Sequence, residues 1–497
     1  MTSSRGTVTA VMALVGSVLL ACTEPGSRPE PPGPTEEQAP EAAEVVTSAP
    51  ADPAVVLLST DPASAALATS RELFDTAPVV VVGSGDDATA MERAVALRVP
   101  FLVADGDPGD LVAELDRLDA EAVLAPADAD LAAMDDAGVD VVRDVADLPP
   151  TEPAGALDDV LVLTDGQPWA AAAVAVAQSA GARTRTVPSG DPRADAELVT
   201  TLTERPASHV VALGDVFRSA EVLAARMATA SSGAQLPGGG QVLFPHRRMV
   251  ALYGHPDTPS LGVLGEQDLT ATVARAREVA AEYEAHTDVP VVPAFEIIAT
   301  VASADAGPDG DYSAEASVDE LRPWVDAAAD AGVYVLLDLQ PGTTDFLTQA
   351  QRYADLLREP HVGLALDPEW RLRPGQRHLE QIGSVDVEEV NAVAEWLAGL
   401  TREGALPQKM LVVHQFRLSM VRGRERLATG FDELAVVLHA DGNGPRADKL
   451  ATWDALRADA PPGVHWAWKN FYDEDSPVFS PEETSALSPT PVLVTYQ

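Results

Sequence analysis

Eight short apolar runs recur through the second half of the chain, and this repetition constrains the fold more than any other feature. The runs fall at residues 249–253, 289–297, 333–339, 362–366, 410–415, 434–440, 465–470 and 491–496. Helical patterns separate most of them, at residues 269–286, 318–331, 344–358, 386–401, 422–428, 446–458 and 481–487. Strands that alternate with helices form mainly parallel sheets. Eight strands in about 250 residues predict a (β/α)8 barrel over 241–497, with an open doubly wound sheet as the alternative.

Polar side chains stand at or just after the end of each apolar run. In a (β/α)8 barrel the carboxyl ends of the strands form the functional site. The residues that we expect to contribute to such a site are Tyr253, Glu296, Asp338, Gln340, Asp367, Glu369, Trp370, His414, Gln415, Asp441, Trp468, Lys469, Asn470 and Tyr472. A barrel with a purely structural role would not need polar groups at every strand end.

The residue types at these strand ends favour glycoside hydrolysis. In that reaction one carboxyl group protonates the leaving oxygen, and a second attacks the anomeric carbon or activates water. Carboxylates dominate the strand ends, and the aromatic side chains among them suit stacking against sugar faces. The chain contains no G-x-S-x-G elbow, H-E-x-x-H motif or phosphate-binding Walker loop, which argues against serine hydrolases, zinc proteases and nucleotide phosphotransfer.

The sharpest local motif is ALDPEW at residues 365–370. Asp367 and Glu369, two residues apart after the fourth strand, resemble the end of the chitinase-type D-x-E signature. The barrel is also similar, in a general sense, to glycosidase barrels. The resemblance implies that Glu369 is the general acid and that Asp367 tunes it, although the upstream aspartates of that signature are missing from 363–366. The candidates for the second carboxylate are Glu296, Asp338 and Asp441.

Other interpretations of the strand ends stay open. Oxygen and nitrogen ligands from separate strands could meet around a metal ion, and the candidates are His414, His439, Asp338 and Asp441. Lys469, one of three lysines in the chain, could lower the pKa of a nearby carboxylate, hold a substrate oxygen or form a structural ion pair. We expect no cofactor and assign no metal site. A non-catalytic glycan-binding protein and a structural lipoprotein scaffold are the alternatives to an enzyme.

Residues 1–22 predict a signal peptide that ends in a lipidation site. Arg5 precedes a mostly apolar run, which has the length of a signal segment and is short for a membrane span. The run ends in Leu-Leu-Ala-Cys, which resembles the bacterial lipobox, so the resemblance implies that Cys22 is lipidated. Several acyl chains suffice for stable attachment. We therefore expect the protein at the cell membrane, on its extracytoplasmic face. Because Cys22 is the only cysteine, an internal disulfide and a cysteine-based zinc site are excluded.

Residues 23–53 predict a disordered tether. This segment is dense in Pro, Glu and Ala and has no aromatic residue, so it cannot bury a core. The tether is expected to hold the folded part away from the membrane.

Residues 54–240 predict a separate parallel α/β module. Its candidate strands are 55–59, 79–83, 101–104, 122–125, 139–142, 160–164, 184–188 and 209–214. Segments 79–107 and 160–191 align as a strand, a Gly/Asp turn, an Ala-rich helix and a second strand that ends in Gly-Asp. A repeat of about 80 residues therefore predicts two related halves.

This organisation resembles the cell-wall-binding repeat family (type 2) of Gram-positive surface proteins. The resemblance is carried by LSTD at 58–61, GSGD at 83–86 and LDAEAV at 118–123, whereas the family's Arg-Tyr pair is replaced by PASA at 62–65. It implies adhesion to anionic wall polymers, and a spacer without a ligand is the alternative. Together with the N-terminal segment, the chain resembles envelope lipoproteins of actinobacteria.

The charge balance limits the possible partners. The chain has 33 Lys and Arg against 77 Asp and Glu, a formal net charge of -44. Nucleic acid requires a basic surface, so we expect no nucleic-acid partner. The expected partners are an envelope polysaccharide and the membrane, through the lipid anchor. The sequence thus predicts a lipid-anchored glycoside hydrolase that acts on an envelope polysaccharide.

Overall fold

The computed structural model describes residues 42–126, 129 and 138–497. The predicted signal peptide with Cys22, and the tether up to residue 41, lie outside the described residues. Within the described ranges, no helix is both long enough and apolar enough to cross a bilayer.

The described residues between 42 and 240 form twelve strands and six α-helices. The strands are β1 Ala43–Glu44, β2 Val46–Thr47, β3 Ala54–Leu57, β4 Phe74–Thr76, β5 Val79–Gly83, β6 Phe101–Val103, β7 Ala122–Leu124, β8 Asp140–Val142, β9 Thr151–Glu152, β10 Val160–Thr164, β11 Arg183–Thr186 and β12 His209–Leu213. The helices are α1 Pro62–Leu73, α2 Ala88–Leu97, α3 Pro108–Arg117, α4 Ala171–Ser179, α5 Ala196–Glu204 and α6 Ala220–Ser231.

The end of the predicted tether belongs to the folded module, which corrects the boundary at residue 53. Strand β1 pairs in parallel with β9, and β2 pairs in antiparallel fashion with β4. Val45, between the two strands, is 1% exposed. A Pro- and Glu-rich composition argued for disorder, but strand pairing with distant segments satisfies this backbone and buries its few apolar side chains.

Two four-stranded parallel sheets form the module, in the orders β6-β5-β7-β8 and β11-β10-β12-β3. The two segments that align in sequence, β5–α2–β6 and β10–α4–β11, take equivalent places in the two sheets. Strand β3, however, comes before the first segment in the chain and completes the second sheet. The two sheets are therefore interlocked through β3 and are not consecutive in sequence.

Both faces of the second sheet are covered. Val160 and Val162 of β10 pack into one apolar cluster with α4, and Leu161 and Leu163 pack into another with α5 and α6. Successive side chains of a strand point to opposite faces, so a continuous apolar run requires cover on both sides. This explains why the central strand β10 is an almost unbroken aliphatic run.

The remainder of the chain forms eleven strands and seven α-helices. The strands are β13 Arg248–Gly254, β14 Val291–Ala302, β15 Ser313–Glu315, β16 Tyr334–Leu339, β17 Val362–Leu366, β18 Val385–Asp386, β19 Lys409–Gln415, β20 Val421–Arg422, β21 Leu434–Ala440, β22 His465–Asn470 and β23 Leu493–Tyr496. The helices are α7 Leu269–Ala281, α8 Val318–Ala331, α9 Phe346–Arg352, α10 Ala354–Leu357, α11 Val387–Glu403, α12 Arg446–Arg457 and α13 Pro481–Ser485.

Eight of these strands close into a parallel barrel. Their order is β13-β14-β16-β17-β19-β21-β22-β23, and β23 pairs with β13 to close the circle. The prediction of a (β/α)8 barrel is confirmed, and the open sheet is excluded. The helix predicted at 422–428 is wrong. That segment holds β20 and a single 3-10 turn at Arg424–Arg426, because Gly423 adopts a left-handed φ of 75° that interrupts a helix.

Along each barrel strand, successive side chains alternate between the barrel interior and the surrounding helices. On β19, Leu411 and Val413 pack outward against the helices, whereas Met410 and Val412 fill the barrel interior. The same alternation holds on the other strands, so the lower interior is apolar. The next inward position at the carboxyl end is polar on every strand, and these residues are Tyr253, Glu296, Asp338, Asp367, His414, His439, Lys469 and Thr495.

Candidate active site

The polar layer at the top of the barrel interior is deeply buried. Glu296, Asp338, His414 and His439 are each 0% exposed. Each stands at the carboxyl end of its strand, two residues after an aliphatic side chain of the lower interior. Because side chains of a strand alternate between its two faces, these side chains also point inward. The layer therefore gathers titratable groups from separate strands in a space that water barely reaches.

His414 lies at the centre of this layer and joins two carboxylates. Its Nε2 is 2.9 Å from Glu296 Oε1, and its Nδ1 is 3.0 Å from Asp441 Oδ2. Asp338 Oδ1 lies 3.9 Å from the same Nε2. The ring of His439 packs edge-on against that of His414, with centroids 4.5 Å apart.

These contacts set opposite protonation states for the two histidines. Burial would lower the pKa of His414, but the charge of Glu296 and the hydrogen bonds to Asp441 and Glu296 outweigh it and raise this pKa well above its usual value. Burial, helped by the charge of His414, lowers the pKa of His439 well below its usual value. His439 Nε2 lies 3.1 Å from the hydroxyl of Thr495. The two shifts favour the charged form of His414 and the neutral form of His439.

Tyr253 connects Asp338 to Lys469. Its hydroxyl donates to Asp338 Oδ2 over 3.0 Å and accepts from Gln340 Nε2 over 3.3 Å. The Lys469 ammonium lies 3.5 Å from the centroid of the Tyr253 ring, a cation–π contact. Burial raises the pKa of Asp338 to about 6, although the charge of His414 opposes this shift.

A cavity of about 580 Å³ opens above the polar layer. Four carboxyl side chains line it, those of Asp367, Glu369, Asp441 and Glu474. Its other lining side chains that were expected at the site are Tyr253, Gln340, Trp370 and Lys469. Glu296, Asp338 and His414 do not line this cavity, so they support the site from beneath.

The lining carboxyl groups differ in their affinity for protons. Burial, and then the negative charge of Asp441, raise the pKa of Glu369 to about 7. Burial, and then Glu369, raise the pKa of Asp367 well above its usual value. Burial also acts to raise the pKa of Asp441, but the hydrogen bond and charge of His414 outweigh it and lower this pKa. The surroundings thus favour the ionised form of Asp441 and the protonated forms of Asp367 and Glu369.

Asp441 has one oxygen occupied and one free. Oδ2 bonds to His414, whereas Oδ1 is buried and has no hydrogen-bond partner among the described residues. One carboxyl oxygen of Asp367 lies within 4.8 Å of one of Asp441. Oδ1 of Asp441 therefore keeps an unused acceptor position, and the residue itself lines the cavity.

Four of the expected substrate-binding residues lie away from the cavity. Trp468 packs outside the barrel against Trp453 and Phe479, with ring centroids 5.7 and 4.9 Å away. Asn470 is buried and accepts from the Trp468 indole over 2.9 Å, and Tyr472 stacks on Tyr496. The structure does not bring Gln415, Trp468, Asn470 and Tyr472, which were expected to bind substrate, to the lining of this cavity. Gln415, Trp468 and Asn470 stand at outward positions of β19 and β22, and Tyr472 follows β22, so adjacency in sequence to inward residues was misleading.

Some residues of the site were missed. Phe416, Arg417, Asn443 and Phe471 line the cavity, and Thr495 bonds to His439. Thr495 was detectable, because it stands two residues after the inward Leu493 on β23. The cavity residues on loops carry no such periodic signal, and their positions depend on the loop paths.

Within the barrel site, two groups of side chains lie close enough together to share a metal ion. They are Glu296 with His414 and His439, and Asp367 with His414 and Asp441. Both groups need His414, and both of its ring nitrogens already lie at hydrogen-bonding distance from carboxylate oxygens. A bound ion would have to displace one of these bonds, so we assign no metal ligand.

The comparisons with known proteins assign no family to the chain. No family model matches it, and no curated protein matches it. Among solved structures, the chain is similar to a cellulase, Cel5C_n, at 12% sequence identity and a TM-score of 0.31, over 50% of this chain and 74% of that chain.

Proposed function

We propose that the barrel is a glycoside hydrolase in which Glu369 is the general acid and Asp441 is the second carboxylate. The observation that carries the proposal is that two carboxyl groups of one cavity hold their protons differently. The pKa of Glu369 is raised to about 7 and that of Asp441 is lowered. Two carboxyl groups whose environments separate their pKa values are what acid-assisted cleavage of a glycosidic bond requires.

In the proposed reaction, Glu369 donates its proton to the glycosidic oxygen as the bond to the anomeric carbon breaks. Asp441, ionised and with Oδ1 free, attacks the anomeric carbon or takes a proton from an attacking water. The ring of Trp370, half-buried at the cavity wall, supplies an apolar face for a sugar.

Among the expected candidates for the second carboxylate, only Asp441 reaches the cavity. Glu296 and Asp338 are completely buried beneath it. Asp367 does line the cavity, but its raised pKa keeps it protonated and therefore a poor nucleophile. The charge that most raises the pKa of Glu369 is that of Asp441, whereas the D-x-E resemblance assigns the tuning role to Asp367.

The roles are tested with two substrates that differ only in their leaving group. A leaving group that is itself acidic departs without protonation, so Glu369→Gln should lose at least about a hundredfold in kcat on a polysaccharide and much less on a nitrophenyl glycoside. Asp441→Asn should lose activity on both substrates. Glu395→Gln, on the exposed face of α11, is the control.

Two outcomes would overturn the proposal. Full activity of Glu369→Gln on a polysaccharide that the wild type cleaves would remove Glu369 as the acid. Saturable glycan binding by the wild type, with no reducing ends released from any glycan that it binds, would favour the non-catalytic binding protein.

We also propose that the enzyme acts on an envelope polysaccharide while anchored through lipidated Cys22. The support is the lipobox resemblance and the apolar run that precedes it. Expressed in a Gram-positive host, the wild type should incorporate labelled fatty acid and sediment with membranes. Cys22→Ala should do neither, and an unchanged distribution of this variant would contradict the anchor.

A further inference from the structure

The hydrogen-bond geometry at His414 demands two donors from one ring. A neutral imidazole carries a single N–H, and its other nitrogen is an acceptor. Nδ1 and Nε2 of His414 each face a carboxylate oxygen, at 3.0 Å and 2.9 Å. Neither oxygen can donate when its carboxylate is ionised, so both bonds form at once only if both nitrogens carry protons.

The surroundings of His414 are predominantly negative. Asp338 on β16 approaches to 3.9 Å, and Asp367 follows β17 within the same layer. The positive group in the layer is Lys469 on β22, whose ammonium lies against the Tyr253 ring. The neighbours on β13 and β21 are Tyr253, with a ring centroid 6.4 Å away, and His439, at 4.5 Å. A cation at this point is balanced by the carboxyl groups around it, because isolated buried charges are costly.

We propose that His414 is a positioning residue, held as a cation between Glu296 and Asp441, which keeps the Asp441 carboxylate ionised and fixes its orientation at the cavity wall through Oδ2. The catalytic part of this inference rests on the proposed glycoside hydrolysis, whereas the protonation of His414 does not. His414 itself does not line the cavity and makes no contact there. It acts on the reaction through Asp441.

The protonation state is tested on the whole chain without any substrate. The protein contains 9 histidines, so 15N labelling of histidine gives a spectrum in which the His414 signals are assigned by their loss in His414→Asn. We expect both ring nitrogens of His414 to show the chemical shifts of a protonated imidazole, unchanged between pH 5 and about pH 8. A neutral tautomer of His414, or titration of its signals within this range, would overturn the proposal even if the enzyme were fully active.

The effect on Asp441 is tested by the acidic limb of the pH profile. Removing the cation raises the pKa of Asp441, so the carboxylate is protonated, and the rate is lost, at a higher pH than in the wild type. We expect the ratio of kcat/KM at pH 5 to that at pH 7 to fall by about tenfold or more in His414→Asn. The variant His414→Gln gives a second measurement if the first does not fold.

His439→Asn is the matched control, because it replaces a neighbouring buried histidine that is neutral. Its acidic limb should stay where it is in the wild type, whatever happens to the absolute rate. If His414→Asn folds and its acidic limb also stays in place, His414 does not tune Asp441. If the wild type cleaves no glycan at all, the proposed function fails, whereas the NMR spectrum still tests the protonation of His414 independently.

Discussion

At the scale of single residues, depth in the barrel determines what each carboxyl group can do. Asp338 and Glu296 are sealed beneath the cavity and contact Tyr253 and His414. Glu369 stands two residues farther along its strand direction than Asp367 and reaches the wall of the cavity. Asp367 lines the cavity as well, so depth separates the sealed pair Glu296 and Asp338 from the carboxyl groups that can meet a substrate.

The pH dependence of the proposed reaction follows from two of the carboxyl groups that line the cavity, Glu369 and Asp441. Glu369 must be protonated, and its pKa of about 7 places the alkaline limb there, so kcat/KM should fall tenfold per pH unit above it. The acidic limb reflects protonation of Asp441, and the lowered pKa of this residue places that limb at low pH. The optimum should lie below pH 7. On a nitrophenyl glycoside, Glu369→Gln should lose the alkaline limb. A rate that stays constant from pH 6 to about pH 9 in the wild type would contradict this assignment.

Two tryptophans near the strand ends should respond differently to truncation. Trp468 is 1% exposed and packs outside the barrel, so Trp468→Ala should lower the free energy of unfolding by about 3–5 kcal/mol. Trp370 lines the cavity and is half-buried, so Trp370→Ala should mainly raise KM. Denaturant titration and steady-state kinetics of both variants check the pair. A Trp468 variant that is stable but has a raised KM would return Trp468 to the site.

At the scale of elements, close packing between barrel strands requires a glycine on β17. A Cβ at Gly363 would lie 2.7 Å from the carbonyl oxygen of Met410 and 2.7 Å from the hydroxyl of Tyr334. That hydroxyl accepts a hydrogen bond from the Met410 backbone N–H over 3.1 Å. The large Tyr334 side chain in the interior thus depends on the absence of a side chain on the neighbouring strand.

Gly363→Ala should destabilise the barrel by about 1–3 kcal/mol, because the added methyl group has no space. Gly399, inside helix α11, is the control, since a Cβ there meets nothing within 4 Å. Gly399→Ala should stabilise by about 0.5–1 kcal/mol through better helix propensity. Denaturant midpoints measure both changes. Equal effects in the same direction would show that packing at β17 is not the cause.

At the scale of the whole molecule, a charged cluster joins the α/β module to the barrel. Asp432, at the amino end of β21, accepts from Arg193 over 2.7 Å and from Arg226 over 2.6 Å. Both arginines belong to the module and are more than nine-tenths buried. Asp191 pairs with Arg193 as well. In a chain with a formal net charge of -44, this cluster brings two arginines together, and both are paired with carboxylates.

Asp432→Ala should destabilise the chain by about 2–4 kcal/mol, because it leaves two buried guanidinium groups with one shared partner, Asp191. The matched control is Glu388→Gln, which breaks an exposed pair with Arg426 and should leave the stability nearly unchanged. Thermal unfolding and limited proteolysis between the module and the barrel measure the difference. Equal stability of the two variants would show that the cluster does not hold the module to the barrel.

The sequence by itself determined the fold class of the second half and the strands that carry the site. Eight apolar runs with helices between them suffice for a parallel barrel, because both period and count are local properties of the chain. Glu369, Asp441, Trp370 and Lys469 were identified for the same reason, since each follows or ends an apolar run. The carboxyl-rich character of the cavity was likewise readable from residue types alone.

Only the tertiary structure decided which side chains meet and what charge they carry. Sequence reasoning placed Trp468 and Asn470 in the site, but the pleat turns them outward. It treated His414 as a possible substrate contact, whereas the barrel closes around it and sets it between Glu296 and Asp441. Protonation depends on burial and on charges brought from distant strands, neither of which is a local property. The division between an ionised Asp441 and a protonated Glu369 therefore exists only in the folded barrel.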